Sequence, residues 1–288
     1  MKSVAIIGAG RLGTALALSL SRSGYGISAV ADASPAAARR LARRLRGVAP
    51  AASNRQAAGQ ADVVFLCVPD SAIGAVAVEL AGRGLDWRGR LAVHCSGALG
   101  AGELDPLRRR GALTGSAHPV HSFALGSKEA RPFLGTPVGI EGQARAVAAL
   151  KAMFLRLGAK PVLLRPGTKA AYHAACALAS NGLVFLMDMA LELLEQAGFS
   201  RRKGMDLLYP LAQGTLHDVN KLGTAGALTG PLVRGDEATI ARHLKALKGF
   251  PDSRRAYQEL ALRGLRLAAE SGTSPARIRA LKRLLERR

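Results

Sequence analysis

Apolar residues fall in short runs separated by helical stretches through the first half of the chain, and in a purely helical texture through the second. Residues 4–7 form an apolar, partly β-branched run. Residues 12–20 follow as an alanine- and leucine-rich helix, and residues 27–30 read as the next strand. Residues 61–68 (ADVVFLCV) are continuously apolar, the pattern of a strand covered on both faces. Further strands are predicted over 91–95, 112–116, 136–140 and 160–164, with helices over 35–46, 71–80 and 143–157. This alternation predicts an α/β fold with a mostly parallel, doubly wound sheet. From about residue 166 only helices are predicted. Residues 168–196 are apolar on nearly every face, the pattern of a helix buried on all sides, in a core or at a subunit interface. Gly198 ends that helix and Ser200 caps the next. More helices are expected near 201–213, 236–248, 252–270 and 275–287, the last opened by Ser274-Pro275. Two domains follow, 1–165 and 166–288, hinged at residues 165–167.

The first strand runs into Gly8, Gly10 and Gly13, a Gly-x-Gly-x-x-Gly spacing between a strand and a helix. In a dinucleotide site Gly8 permits the tight turn, Gly10 lets a pyrophosphate approach the backbone, and Gly13 lets helix and strand pack closely. The N–H groups of Arg11, Leu12 and Gly13 open the helix, where unpaired donors and a partial positive charge suit phosphate. Asp32 closes the second strand 19 residues after Gly13, near the spacing of about 20 expected for a ribose-binding carboxylate. That carboxylate would repel a 2′-phosphate, so NAD is expected over NADP. Arg39 and Arg40 lie close enough in sequence to keep NADP in view.

Composition narrows the classes. Aromatic residues make up only 4% of a chain that is 49% hydrophobic, so the core must be built of Ala, Leu and Val. The net charge of +21 is spread along helices, as in Arg39, Arg40, Arg43, Arg44 and Arg46, and again in Arg279, Lys282, Arg283, Arg287 and Arg288. No aromatic residues interleave with it, as a single-strand platform would need. It reads as a solvated basic surface that attracts anionic ligands, with no specific nucleic acid implied. Cys67, Cys95 and Cys176 share no metal or redox spacing, and the first two fall in predicted core strands. The odd count, with Met1-Lys2 leading directly into a strand, predicts a cytoplasmic protein without a signal peptide. No membrane span is expected, because residues 170–194 are interrupted by Tyr172, His173, Asn181, Asp188 and Glu192.

In open α/β sheets, ligands bind beyond the carboxyl ends of the strands. Three segments fall there besides the glycine turn: Val68-Pro69-Asp70, expected to line the cofactor; residues 94–97 (HCSG); and residues 115–123 (GSAHPVHSF). His118 and Ser96 are candidates for orienting a substrate and moving protons. His94 reads either as functional or as a strand residue bonded to backbone. His118 and His121 have metal-like spacing, but no carboxylate or thiol nearby in sequence completes a site, so no metal is expected. On the long helix Lys169, His173, Cys176 and Ser180 share one face. Lys169 reads either as an anion binder and proton donor or as a snorkelling surface lysine. Asn181-Gly182 within an apolar helix points to close packing or to a substrate hydrogen bond.

Together the glycine turn, VFLCVPD at 64–70, HCSGAL at 94–99, GSAHPVHSF at 115–123, KAAYHAACALASN at 169–181 and ALTGPLVRGDEATIARHL at 227–244 resemble a bacterial family. Its members join a Rossmann-like domain to a C-terminal domain of unknown function. The wider group includes pyrroline-carboxylate reductases, β-hydroxyacid dehydrogenases and deazaflavin-dependent NADP reductases. The resemblance implies an all-helical second domain of the 6-phosphogluconate-dehydrogenase C-terminal type and a homodimer with intertwined helical domains. Lys169 with His173 is similar to those dehydrogenases' catalytic lysine and the asparagine one turn later, with histidine in place of asparagine. Residues 229–240 are loosely similar to the reductases' substrate segment, with Arg234 and Asp236 replacing smaller residues. The expectation is an NAD(P)-dependent oxidoreductase acting on C=O or C=N of a small, anionic metabolite. A non-catalytic dinucleotide-binding or sensor dimer is the alternative.

Overall fold

Each apolar run becomes a strand because two helical layers cover it. The computed structural model describes residues 2–123 and 131–287; Met1 and Arg288, named above for the start of the chain and its basic end, lie outside them. The order is β1 (Ser3–Ile7), α1 (Arg11–Arg22), β2 (Gly26–Ala31), α2 (Pro35–Ala42), α3 (Asn54–Gly59), β3 (Val63–Leu66), α4 (Asp70–Ala81), β4 (Leu91–His94), α5 (Asp105–Arg108) and β5 (Leu113–Pro119). Then come β6 (Pro137–Gly142), α6 (Ala144–Arg156), β7 (Lys160–Leu163) and the helices α7 (Lys169–Gln196), α8 (Arg201–Ala227), α9 (Pro231–Arg234), α10 (Glu237–Ala246), α11 (Pro251–Glu270) and α12 (Pro275–Leu285). The strands form one sheet in the order β2-β1-β3-β4-β5-β6-β7. In β3, Val63 and Phe65 join the layer holding Leu16, Leu41 and Phe154, whereas Val64 and Leu66 join that of Ile73, Leu80 and Trp87. Burial on both faces is why this strand shows no period of two.

Several elements depart from the sequence expectation. The helix expected over 35–46 ends at Ala42 and tightens into turns, with Arg44 N–H bonding Leu41 O and Leu45 N–H bonding Ala42 O. The like-charged pairs Arg39/Arg43 and Arg40/Arg44 oppose a longer helix. The chain then touches the outer edge of β2 at a single parallel bridge, Val30 to Pro50. Counting that bridge, the order matches the dinucleotide fold, with its reversal between β1 and β3. β5 runs three residues past its expected end at Ser116, because β6 pairs with it antiparallel from Gly115↔Gly142 to Pro119↔Val138. His118 therefore lies in a strand, not in a loop.

The chain divides into two compact units, 1–181 and 182–288, and the division falls inside α7. In the second unit, α8 runs to Ala227 rather than ending near residue 213. It carries Pro210 and kinks at Gly223, where φ is +73°. Pro210 falls within the stretch expected to be helical; the glycines Gly214, Gly223 and Gly226 made residues 214–227 unreadable as helix. The core of this unit gathers Ile240, Leu244, Ala261, Leu265, Leu281 and Leu285 from α10, α11 and α12. The expected burial of α7 is not found within the chain: Leu178 is 76% exposed, and Val184, Phe185 and Leu186 are exposed too. Length and composition also make α7 apolar enough to cross a membrane, despite the polar residues that interrupt it.

Candidate active site

The turn between β1 and α1 is built by three glycines with three different constraints. Gly8 has φ of +102°, and a Cβ there would run into the Cys67 carbonyl. A Cβ on Gly13 would overlap Gly8 O and press on the Cys67 side chain. Around Gly10 a Cβ would meet nothing within 4 Å. Gly10 is also the N-cap of α1, and no side chain caps the helix. The first intrahelical bond is Thr14 N–H to Gly10 O at 2.9 Å, so the N–H groups of Arg11, Leu12 and Gly13 are free of helical partners. Asp32 sits beside this turn: Oδ2 accepts Ala9 N–H at 2.6 Å and Oδ1 accepts Ser34 N–H at 2.7 Å. Each oxygen keeps a lone pair for a ribose hydroxyl. Arg11 is exposed, Leu12 packs on the core, Val68 packs on the opposite core layer, and Pro69 is the N-cap of α4. A bare-backbone cradle, uncapped donors and a neighbouring carboxylate fit a dinucleotide.

Beside the cradle, the ends of β4 and β5 meet the start of α7, all within the first unit. Lys169 is only 2% exposed. Its ammonium donates to Ser96 O at 2.5 Å and to the Ser116 hydroxyl. Two of its three N–H donors are thus engaged and one is left over. Burial pushes its pKa down, opposed by the nearby carboxylate of Glu141, then by Cys95 and Asp70. The snorkelling reading of Lys169 is excluded by this burial. Ser96 is held at every polar atom. Its hydroxyl donates to Asp70 Oδ2 at 2.7 Å and accepts Ala98 N–H and Leu99 N–H. His94 is fully buried; Nδ1 accepts Ser96 N–H at 3.2 Å, so Nε2–H donates to Gly100 O at 2.9 Å. Burial, reinforced by Lys169, holds its pKa down at about 4. His94 is therefore a neutral brace for the 96–100 turn.

Three aromatic side chains complete the arrangement. His118 Nδ1 lies 3.0 Å from the Tyr172 hydroxyl, and its ring stands edge-on to those of Tyr172 and His173, with centroids 5.6 and 5.5 Å away. Burial, then His173 and Lys169, lower the His118 pKa to about 4. Burial, together with Cys176, raises the Tyr172 pKa to about 12. Gly97 is required here, because a Cβ would collide with the His173 ring and crowd His118 Nε2.

The structure thus gathers Lys169, His173, His118 and Ser96, and separately sets Gly8, Gly10, Gly13 and Asp32 around one turn. Asn181 is exposed and stands about 18 Å along α7 from Lys169, away from the others. Sequence reasoning passed over Glu141 and Tyr172, and took Asp70 only as part of a segment lining the cofactor, not as the acceptor of the Ser96 hydroxyl. A lone acid inside the apolar strand VGIEG was the available signal for Glu141, since a buried carboxylate needs a partner.

Residues 1–119 match a Rossmann-like domain, and residues 136–263 match a domain of unknown function, DUF2520. No protein of curated function matches the chain. Among solved structures, a provisionally assigned NADP oxidoreductase from Bacteroides fragilis is similar, at 25% identity and TM-score 0.74, over 92% of this chain and 97% of that one. Protein TM1727 from Thermotoga maritima is 27% identical at TM-score 0.69, over 93% and 98%. An imine reductase from Myxococcus stipitatus in complex with NADP+ shares the fold at 20% identity and TM-score 0.68, over 97% and 99%. The chain is therefore a Rossmann-like domain followed by a DUF2520 domain.

Proposed function

We propose that this protein is an NAD(P)-dependent oxidoreductase that reduces C=O or C=N in a small, anionic metabolite. The observation that carries the reading is Lys169, a buried ammonium with one uncommitted N–H at the strand ends, beside a phosphate cradle left open at Gly10. Backbone donors of Arg11, Leu12 and Gly13 hold the diphosphate, Asp32 takes the ribose hydroxyls, and Val68-Pro69 lines the same end of the sheet. The dinucleotide supplies hydride when bound. Lys169 hands a proton to the oxygen or nitrogen that gains negative charge, and its lowered pKa favours that transfer. His118 and His173 shape the neighbouring wall, and Ser96 fixes the carbonyl that aims the ammonium. Asp32 favours NAD over NADP by repelling a 2′-phosphate. The excess of basic residues favours an anionic substrate. We assign the protein to a reducing cytoplasm on its three unspaced cysteines, and to a homodimer on the exposed apolar face of α7.

Calorimetry with NADH and NADPH, followed by absorbance assays of their oxidation with 2-keto acids and cyclic imines, tests this. Lys169→Met is expected to lower kcat about 10²-fold or more while leaving dinucleotide affinity within about twofold. An unchanged kcat overturns the role of Lys169. Binding without turnover of any probe points to the sensor alternative, and no binding of either dinucleotide removes the whole reading.

A further inference from the structure

A lysine that gives up a proton in each cycle must regain one, and Lys169 is sealed from solvent. Its two hydrogen-bond partners differ in what they can return. Ser96 offers a carbonyl oxygen, which accepts but has no proton to pass on; Ser116 offers a hydroxyl, which can do both. The third N–H faces the product, so while product is bound the route back leaves through Ser116. Ser116 is fully buried in β5, and its partner across the antiparallel pair is Glu141 of β6. Directly opposed residues in such a pair project to the same face with Cβ atoms about 4.5–5.5 Å apart. That spacing is short enough for one water to bridge the Glu141 carboxylate and the Ser116 hydroxyl. Glu141 is itself 5% exposed, and Oε1 is fixed by Ala101 N–H at 2.6 Å. Glu141 also lines a cleft of about 640 Å³ together with Ala101, Arg108, Thr114, Gln143 and Gly167.

Resting on the reading of Lys169 as proton donor, we propose that Glu141 reloads Lys169 from this cleft through the Ser116 hydroxyl. After an Nζ–H bond breaks to protonate the product, Nζ takes the Ser116 proton. In step with this, the Glu141 carboxylate takes a proton from hydronium or buffer acid in the cleft and passes it, through one bridging water, to the Ser116 oxygen. One proton enters per cycle and no electrons move. Glu141 is a relay and positioning residue, not one that meets the substrate. The ionisable groups around Lys169 are Glu141 from β6, Asp70 from α4, His94 and Cys95 from β4 and its end, His118 from β5 and His173 from α7.

The test needs no knowledge of the substrate. Proton exchange between the Lys169 ammonium and water is measured by NMR on full-length protein labelled with 15N-lysine, the resonance being identified by its loss in Lys169→Met. Exchange is expected to slow about tenfold or more in Glu141→Gln, which keeps the Ala101 bond, and in Ser116→Ala, and to recover in Glu141→Asp and Ser116→Thr. Equal exchange in native protein and Glu141→Gln, with native circular dichroism, overturns the relay. With NADH and 2-methyl-1-pyrroline as probe, Glu141→Gln is expected to lower kcat about 10²-fold with KM little changed, and formate to restore it. A kcat unaffected by Glu141→Gln overturns the proposal. No turnover by native protein with this imine or with any 2-keto acid, while exchange stays sensitive to Glu141, sinks only the oxidoreductase reading.

Discussion

Gly10 and Gly13 stand three positions apart and lack side chains for opposite reasons. Gly13 is confined by the chain itself, since a Cβ there overlaps Gly8 O; Gly10 faces open space. Gly13→Val is expected to destabilise the protein by about 1–3 kcal/mol through overpacking. Gly10→Val is expected to cost less than about 1 kcal/mol of stability and to weaken dinucleotide binding tenfold or more, about 1.4 kcal/mol. Thermal melts and calorimetry on the two variants separate these effects, and equal loss of binding with equal loss of stability would refute the contrast. Lys169 marks where spacing alone ran out: i, i+4 and i+7 placed it on a face with His173 and Cys176, but nothing local revealed that the face points inward.

Helices and strands were legible where their pattern depended on burial against the sheet. β1 to β4, α1, α4 and α6 were read within two residues at either end, because short apolar runs and glycine punctuation are local signals. The antiparallel turn-back of β6 was not legible, since strand direction leaves no mark on composition; with it went Glu141 and the strand setting of His118. The contiguous glycine turn could be read as one unit, whereas Ser96, His118, Lys169 and His173 could be named only one by one, without the contacts that join them. α7 poses the converse problem. Its apolar pattern was read as burial, yet Leu178, Val184, Phe185 and Leu186 are exposed. A surface of this kind calls for a covering, and Asp188, which pairs with Arg201 on α8, is costly inside lipid. Sedimentation equilibrium is expected to find a dimer, and Phe185→Glu with Leu178→Glu to shift it to monomer. A monomeric native protein, or one that pellets with phosphatidylcholine vesicles, would refute the second copy.

Taken over its full length, the protein combines an excess of positive charge with imidazoles held neutral. His94 and His118 have pKa values near 4, below the ordinary 6.5. The unfolded chain therefore binds more protons than the folded one between those limits, so stability falls as pH drops from about 6.5 towards 4. For His94, fully buried, the loss is on the order of 3 kcal/mol. Chemical denaturation at steps across this range is expected to show the decline, with a shallower slope in His94→Gln. A flat profile would contradict the neutral brace. Added positive charge at low pH acts in the same direction through self-repulsion.

The thiols of Cys67 and Cys95 lie 3.9 Å apart under the glycine turn, and Gly8 and Gly13 both lean on Cys67. Their mutual hydrogen bond, with burial, pushes the Cys67 pKa well above its ordinary value. Alkylating dyes attack thiolates, so Cys67 is muted for as long as the turn stays seated. Its rate of labelling reads out how often that seat opens. Any compound that clamps the turn would announce itself by slowing the dye, a way to sift candidate ligands without knowing the reaction.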